Sequence, residues 1–409
     1  MINRKITLAL TASIMLSGCL DESNSSNYVG LECDSSTLDM AIQTVAADYS
    51  SSAVAIGCSD GGFLDGNLVK TASDYSLSVG SESFYHVGRN YIDTISKYDF
   101  LLSDVEEWTY STNDELESTS NPYKIIEVSA TKAYVIRYNK SKVWIVDPSA
   151  ANEEDFKLGE LDLSAYLASQ TSDVTVDDVT TSVTTTATQT DMSDAVIANG
   201  KLFVAMQRLR NGKTGEGTYG PYDIRDYTND SIVAVFDISN DQEIHNITLT
   251  GHNVQSLTAF GDHVYAASFG NYEAGDDADY GVLESINSTD YTLTTVLSGH
   301  SGIGSIKDVT LLSETQGYVL TDQSQRIANV YTYFLNVMEF NPSTNELGSI
   351  VNDYSARHLS DIEIGPNNYL WITSSEDSTP GVYKVDPAGI EDDVFLGTNL
   401  NATKIVFKQ

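Results

Sequence analysis

The chain has 409 residues, with 58 acidic residues against 22 basic ones and a formal net charge of −36. So acidic a composition excludes nucleic-acid binding through a basic face and electrostatic adhesion to anionic lipid. The length would ordinarily suggest two or three domains, although a repeat protein can use it as one closed unit.

Residues 1–18 are predicted to be an export signal. Arg4 and Lys5 precede an apolar run over residues 6–16 that is too short to span a bilayer. The run leads into Leu-Ser-Gly-Cys19, which resembles the lipobox of bacterial lipoproteins. The resemblance implies cleavage before Cys19 and a lipid anchor, palmitate included, on that residue. Because Leu20 and not Asp follows Cys19, it also implies the outer membrane. The alternative is an ordinary signal peptide with a chance cysteine.

Residues 19–50 are predicted to be a lipidated tether with a short helix. The tether is polar over residues 20–30, and the helix is predicted over residues 37–47 because apolar residues recur there at helical spacing. The other two cysteines are Cys33 and Cys58. With Cys19 lipidated, these two are the remaining pair in an oxidising compartment, so a Cys33–Cys58 disulfide is predicted.

Residues 51–409 are predicted to form one all-β domain, a β-propeller. Short runs of alternating apolar and polar residues are broken by Gly, Asn, Asp and Ser, as in antiparallel strands. A strand, a tight turn and a stronger strand recur, as at 257–268 and 309–321. A strand ending in an Asp or Asn turn and a short outer strand then follow. Four strands per repeat, A to D, make a propeller blade.

The number of blades follows from the spacing of the B strands. Six blades are readable, with insertions at residues 165–193 and 208–230. The first insertion is either an edge hairpin or a disordered loop. A seventh blade would combine N-terminal strands near 53–57 and 67–71 with a C-terminal strand over 403–408, which would leave no exposed sheet edge. Seven blades are therefore predicted, with six and eight as alternatives.

Two dipeptides and several turns carry a family resemblance. Gly251-His252 and Gly299-His300 precede A strands and resemble the Gly-His of WD repeats, although no Trp-Asp closes a C strand. The Asp-Pro turns are more similar to those of the YVTN and quinoprotein-like propellers of bacterial envelopes. The resemblance covers about residues 50–409. It implies the propeller architecture but no particular activity.

Two groups of side chains could hold a metal ion. Asp276, Asp277 and Asp279 share a loop that either binds calcium or is a solvated acidic loop. Histidines precede three consecutive A strands, and Asp308 and Asp361 begin two of these strands. Together they could form a metal site on one rim. Alternatively, the histidines could make hydrogen bonds within their own blades and the aspartates could cap loops. The histidines are His252, His300 and His358.

The arginines point to one face of the propeller. Those of the mature chain fall at the ends of B strands, in B–C loops or in a D–A loop, and these connections share a face. A guanidinium fork suits anions, and nearby tyrosines can stack on a ligand. The alternative is that the arginines pair with neighbouring acids. The predicted ligand-binding residues are Arg89, Arg137, Arg208, Arg210, Arg326, Arg357, Tyr138 and Tyr272.

Three functions are compatible with these patterns. The favoured one is an outer-membrane binding module that captures a small anionic or metal-chelated ligand on the arginine-rich face. The second is a scaffold that holds other proteins of the cell envelope. The third is a metal-dependent lactonase or hydrolase, which should show several Asp, Glu, Asn or His residues converging at the channel. No catalytic residue is predicted.

Overall fold

Strand pairing in the computed structural model yields seven four-stranded antiparallel sheets and three separate two-stranded hairpins. The structure describes residues 33, 37–60, 62–114, 119–176, 179–217, 220–226, 229–270, 280–300, 302–327, 330–351 and 357–408. The predicted propeller with seven blades is confirmed.

The strands are numbered along the chain. The first three are β1 (Met40–Val45), β2 (Ser52–Gly57) and β3 (Phe63–Lys70). Blade 1 consists of β4 (Tyr75–Val79), β5 (Ser83–Gly88), β6 (Thr94–Asp99) and β7 (Glu106–Ser111). Blade 2 consists of β8 (Pro122–Ser129), β9 (Lys132–Arg137), β10 (Lys142–Val146) and β11 (Lys157–Asp162). A hairpin of β12 (Ser169–Val176) and β13 (Val179–Thr186) follows.

Blades 3 and 4 occupy the middle of the chain. Blade 3 consists of β14 (Met192–Ala198), β15 (Lys201–Met206), β18 (Asp230–Asp237) and β19 (Gln242–His252). Its inserted hairpin consists of β16 (Arg210–Gly217) and β17 (Gly220–Asp226). Blade 4 consists of β20 (Val254–Phe260), β21 (His263–Ser268), β22 (Val282–Asn287) and β23 (Leu293–Ser298).

The remaining strands complete the ring. Blade 5 consists of β24 (Ser305–Ser313), β25 (Gln316–Asp322), β28 (Leu335–Asn341) and β29 (Glu346–Ile350), with a hairpin of β26 (Gln325–Ile327) and β27 (Val330–Thr332). Blade 6 consists of β30 (Leu359–Ile364), β31 (Leu370–Ser374), β32 (Gly381–Val385) and β33 (Val394–Gly397). The last strand is β34 (Asn401–Phe407). Single 3-10 turns lie at Phe100–Leu102, Glu153–Asp155, Ser164–Tyr166 and Pro366–Asn368.

Blade 7 joins the two ends of the chain. Its order from the axis outward is β34, β1, β2 and β3, and β1 pairs with β34 from Met40↔Phe407 to Val45↔Asn401. The prediction that the C-terminal strand closes the ring is confirmed. The inner strands of all seven blades contact their neighbours around the axis, and apolar side chains from adjacent sheets pack together between the blades.

The helix predicted over residues 37–47 is wrong, because Met40–Val45 is strand β1 and all six of its residues are buried. A strand that is buried on both faces need not alternate, so apolar spacing alone does not distinguish it from a helix. The polar residues of β1 are satisfied inside the core, where Gln43 Nε2 and Thr44 Oγ1 both donate to the Ala53 carbonyl, at 3.1 and 3.0 Å. The first strand of the propeller thus begins before residue 51.

The Cys33–Cys58 disulfide predicted from the sequence is confirmed, with the two Cα atoms 5.8 Å apart. It ties the segment before β1 to the residue that follows β2. A crosslink over 25 residues stabilises chiefly by restricting the unfolded chain, nominally by about 3 kcal/mol.

The two faces of the propeller differ. We call the face with the B–C and D–A connections the upper face and the opposite one the lower face. All three extra hairpins belong to upper-face connections: β12–β13 joins blades 2 and 3, while β16–β17 and β26–β27 join the B and C strands of blades 3 and 5. Where the structure describes the chain, the lower-face turns carry no such hairpin. Because binding residues concentrate on the loops of a rigid scaffold, this asymmetry favours the upper face.

Candidate functional site

A cavity of about 300 Å³ occupies the upper end of the central channel. All seven inner strands line it near their first residues, and Arg89 adds a side chain from a B–C connection. One polar residue from each blade forms a ring around this cavity. In blade order these residues are Ser76, Lys124, Asp194, Ser256, Asp308, Asp361 and Lys404.

A β-bulge recurs at this height in six of the seven inner strands, where one extra residue interrupts the pairing with the B strand. In a regular strand successive side chains point to opposite faces, and a bulge re-aims one of them. In blade 5 the bulge leaves Lys307 unpaired beside Asp308, and both line the cavity. The bulges therefore give the channel about two lining residues per blade.

The three carboxylates of the ring link neighbouring blades. Each accepts a backbone N–H from the inner strand of the next blade. The donors are Leu257 to Asp194 at 2.8 Å, Ile362 to Asp308 at 3.4 Å and Ile405 to Asp361 at 3.0 Å. Asp308 also accepts the Ser256 hydroxyl at 2.7 Å. These aspartates thus have a structural role as well as a place in the cavity.

Two lysines of the ring are paired. Lys124 Nζ lies 2.7 Å from Asp194, and Lys404 Nζ lies 2.6 Å from Asp361. Although burial opposes it, the surrounding carboxylates raise the pKa of Lys404 above its ordinary value. Burial, and then the charge of Asp361, raise the pKa of Asp308 to about 6. The floor of the cavity is therefore a closed network of opposite charges.

Two cations of the cavity have unused donors. Lys307 is half-buried and makes no hydrogen bond or ion pair within the described part of the chain. Arg89 contacts Asp74 only at 3.6 Å, and its buried Nε has no hydrogen-bond partner. Burying an unsatisfied donor costs about 1–3 kcal/mol, more if it is charged. An acceptor brought by a ligand would remove that cost.

The wall beside Arg89 is aromatic. The Arg89 guanidinium lies 5.2 Å from the centre of the Tyr123 ring, and Tyr123 stacks on Tyr138 at 4.6 Å. Tyr138 is buried, and its hydroxyl donates to Gln207 at 2.8 Å. Tyr123, a bulge residue that lines the cavity, is thus held between Arg89 and Tyr138.

The loop that follows Arg89 is held in a strained conformation. Asn90, Tyr91 and Asp93 have φ angles of 29°, 71° and 53°, values that L-residues rarely adopt. Asp93 is buried and accepts the backbone N–H of Asn121 at 2.8 Å and the Thr119 hydroxyl at 2.8 Å. Such strain persists only where neighbouring contacts enforce it, and it clusters at ligand sites.

A smaller cavity of about 210 Å³ adjoins the first one between blades 6, 7 and 1. It shares Tyr75 and Arg89 with the axial cavity, and Tyr49 and His358 line its outer part. Burial lowers the pKa of His358, whose ring stacks on Tyr333 at 3.6 Å. The upper face therefore offers an axial chamber with a polar and aromatic side pocket.

The structure does not bring the predicted arginines together at the channel. Arg89 lines both upper cavities, whereas the Arg137 side chain has no exposed surface and pairs with Asp114 at 2.6 Å. Arg208 donates to the Tyr166 and Asp230 carbonyls, each at 2.9 Å. Arg357 is exposed on a D–A connection. Arg210 and Arg326 lie on β16 and β26, the side chains of which are not described, and Tyr272 lies outside the described residues.

Where the structure describes them, the candidate metal ligands are not grouped as a metal site, although Asp308 and Asp361 line the same cavity. In the described ranges no three His, Cys, Asp or Glu side chains are grouped to hold a metal ion. His252 lies 3.8 Å from Asp230, and His300 accepts the Gly302 N–H at 3.0 Å. The predicted calcium loop with Asp276, Asp277 and Asp279, like Cys19, lies outside the described residues.

One sequence motif after strand β2 has the spacing of a catalytic serine motif. Residues 57–61 read Gly-Cys-Ser-Asp-Gly, the spacing of a hydrolase nucleophile turn. Such a turn connects a strand to a helix, whereas this one connects β2 to β3. The Ser59 hydroxyl is buried and donates to Asp39 at 2.7 Å, while Cys58 is held in the disulfide. The serine therefore closes a turn.

Glu363 is a carboxyl of the channel with a raised pKa. It is half-buried on β30, and burial raises its pKa from 4.5 to about 7. Lys404 and Lys124 oppose this shift, while Asp361 and Asp308 add to it. The carboxyl makes no hydrogen bond or ion pair in the described part of the chain.

Replacing Glu363 by Gln is expected to stabilise the protein at pH 8 and to leave stability unchanged at pH 4. The folded state binds the Glu363 proton more tightly than the unfolded chain, so wild-type stability falls as the pH rises from 4.5 through about 7. The full change in unfolding free energy that follows from this pKa shift is on the order of 3 kcal/mol. Because Glu363 is partly exposed, the expected gain in stability is about 1–3 kcal/mol. Urea titrations at both pH values measure it. The same change at pH 4 and pH 8 would contradict the assignment.

Comparison with known proteins supports the architecture and no particular activity. No protein-family model matches the chain, and no curated protein sequence matches it either. Its fold is that of a seven-bladed β-propeller. A candidate 6-phosphogluconolactonase from Bacteroides fragilis superposes with a TM-score of 0.57 at 13% identity, over 90% of this chain and 97% of that one. A protein from Lactobacillus plantarum gives 0.57 at 11% identity, over 91% and 99%.

Proposed function

We propose that the protein is a binding module of the cell envelope that takes a small anionic or metal-chelated ligand at the upper end of its channel. The observation that carries the proposal is the pair of unused cationic donors, Lys307 Nζ from blade 5 and Arg89 Nε from blade 1, which line the same cavity. Neither cation is neutralised at hydrogen-bond distance, whereas Lys124 and Lys404 are.

Electrostatics favours an anion at this place. In a chain of net charge −36, most of the surface repels anions. A partly enclosed cavity with two cations that retain open donors strengthens a contact to a carboxylate or phosphate compared with one in bulk water. Tyr123 and Tyr75 add aromatic side chains to the cavity lining. Shape and charge together support capture of a small anion.

Replacing Lys307 or Arg89 by Met is expected to weaken ligand binding by about 1–3 kcal/mol, because each removes a charge-assisted contact. Compounds that copurify from the native membrane are first identified by absorbance, elemental analysis and mass spectrometry. The identified compound, together with citrate, benzoate and phosphate, is then titrated by calorimetry.

Lys70→Met is the matched control for this experiment. Lys70 ends the outermost strand of blade 7 at the upper face, so the variant removes the same charge away from the axis. The control should bind like the parent. Equal affinity of Lys307→Met, Arg89→Met and Lys70→Met would remove the basis of the proposal.

The module is proposed to be held on the outer membrane by lipid on Cys19, which its lipobox-like sequence supports. In the described part of the chain, no helix has the length and apolar character needed to cross a bilayer. Replacing Cys19 by Ser is expected to move the protein from the membrane to the soluble fraction, because several acyl chains anchor firmly and none would remain. Fractionation and mass spectrometry of the N-terminal peptide test this. A Cys19→Ser variant that stays on the membrane would contradict it.

A further inference from the structure

A second cavity, of about 420 Å³, occupies the lower end of the channel. Inner strands of blades 1, 2, 6 and 7 line it, and Lys124 and Lys404 border both this cavity and the upper one. Its walls combine apolar and charged side chains, with a somewhat larger apolar share than those of the upper cavity. The apolar lining residues include Val79, Ile126, Ile364, Val406 and Phe407.

Glu363 is the distinctive group of this lower cavity. It follows Asp361 by two residues on β30, so it lies one level below the charged ring. The other six inner strands carry uncharged residues at the corresponding position, namely Ser78, Ile126, Val196, Thr258, Thr310 and Val406. A carboxylate without a partner in the described chain therefore lies in a cavity that also has apolar side chains in its wall.

The other charges of the lower cavity are compensated. Lys124 and Lys404 pair with Asp194 and Asp361, and Lys408 pairs with Glu82. Glu127 accepts the Tyr85 hydroxyl and the Ser81 N–H. With these partners counted, the cavity has three lysines against five carboxylates. The lysines therefore leave two carboxylates without a cation: Glu127, which accepts the two hydrogen bonds above, and Glu363, which makes none in the described part of the chain.

We propose that the lower cavity is a second binding site, for a small organic cation that carries an ammonium group on a short hydrocarbon stem. The ammonium would pair with Glu363, and the stem would contact Ile126, Val406 and Phe407. A carboxylate in an apolar enclosure attracts an organic cation more strongly than an exposed one does. Burial of each CH₂ group of the stem strengthens binding further.

The experiment uses n-butylammonium as the probe and 1-butanol as its uncharged isostere. Titration calorimetry is performed at pH 8, where the Glu363 carboxyl is ionised. The parent should bind n-butylammonium at least about tenfold more tightly than 1-butanol. Glu363→Gln should weaken n-butylammonium binding at least about tenfold, which is a loss of about 1.4 kcal/mol.

Two controls separate this site from the upper one and from general charge effects. Glu346→Gln removes an acid from the outermost strand of blade 5. Lys307→Met removes the lysine of the upper cavity that has no hydrogen-bond or ion-pair partner in the described part of the chain. Both should bind n-butylammonium like the parent, and a cooperative melt confirms folding of each variant. Absence of n-butylammonium binding to the parent, equal affinity for 1-butanol, or unchanged binding by Glu363→Gln would overturn the proposal.

Discussion

Deletion of residues 401–409 is expected to abolish cooperative folding of the whole domain. Strand β34 is the inner strand of blade 7, and Ala402, Ile405, Val406 and Phe407 are buried in it. Burying an Ile, Val or Phe side chain is worth about 1.5–3 kcal/mol. Three such residues approach the entire stability of a typical domain, which is about 5–15 kcal/mol. The deletion also removes the Lys404–Asp361 ion pair and opens the ring.

The control for this deletion is removal of residues 408–409 alone, which leaves β34 complete. Circular dichroism and calorimetric melting compare the two truncated proteins with the parent. The short deletion should melt cooperatively near the parent temperature, whereas the long one should show no such transition. A long deletion that melts within a few degrees of the parent would contradict ring closure as the source of cooperativity.

Replacing Arg137 by Met is expected to destabilise the protein by about 3–5 kcal/mol without changing ligand affinity. The buried guanidinium donates to Asp114 at 2.6 Å, to the Thr112 carbonyl at 3.2 Å and to the Lys142 carbonyl at 3.2 Å. It also lies 4.3 Å from the centre of the Trp144 ring. Met fills part of the volume but leaves these acceptors without their donor, and each unmade buried bond is costly.

Urea unfolding and ligand titration of the same Arg137 variant separate a structural role from a binding role. Arg357→Met, on an exposed D–A connection, is the control and should change stability by less than about 0.5 kcal/mol. Were Arg137 a ligand contact, its replacement would weaken binding and leave the unfolding midpoint near that of the parent. That pattern would contradict the structural role of Arg137.

Much of the fold could be predicted because propellers repeat a short pattern. The recurring A–B and C-strand units predicted the blades, and the apolar strand at the C-terminus predicted closure of the ring. Strand β1 was missed because it is buried on both faces, so its apolar residues also fit a helix. Its identity as a strand depends on pairing with β34, a partner more than 350 residues away.

The candidate site was predicted less well, for a physical reason. The described arginines lie at or just after the ends of B strands or in a D–A connection, yet whether a side chain faces the axis depends on how blades pack. Asp308 and Asp361, at the starts of A strands, were considered as metal ligands or loop caps. Both residues belong to the ring of polar side chains in the channel. Lys307 was missed, because a bulge exists only relative to the partner strand and a single strand's sequence does not reveal it.

The most direct test of the binding proposal is the position of a bound anion. Crystals soaked in bromide give anomalous difference maps that locate anions without knowledge of the natural ligand. We expect the strongest site in the upper cavity, within about 3.5 Å of Lys307 Nζ or Arg89 Nε, and we expect it to disappear in Lys307→Met crystals. Bromide bound only at outer lysines such as Lys70, with none at the axis, would contradict an anion site in the channel.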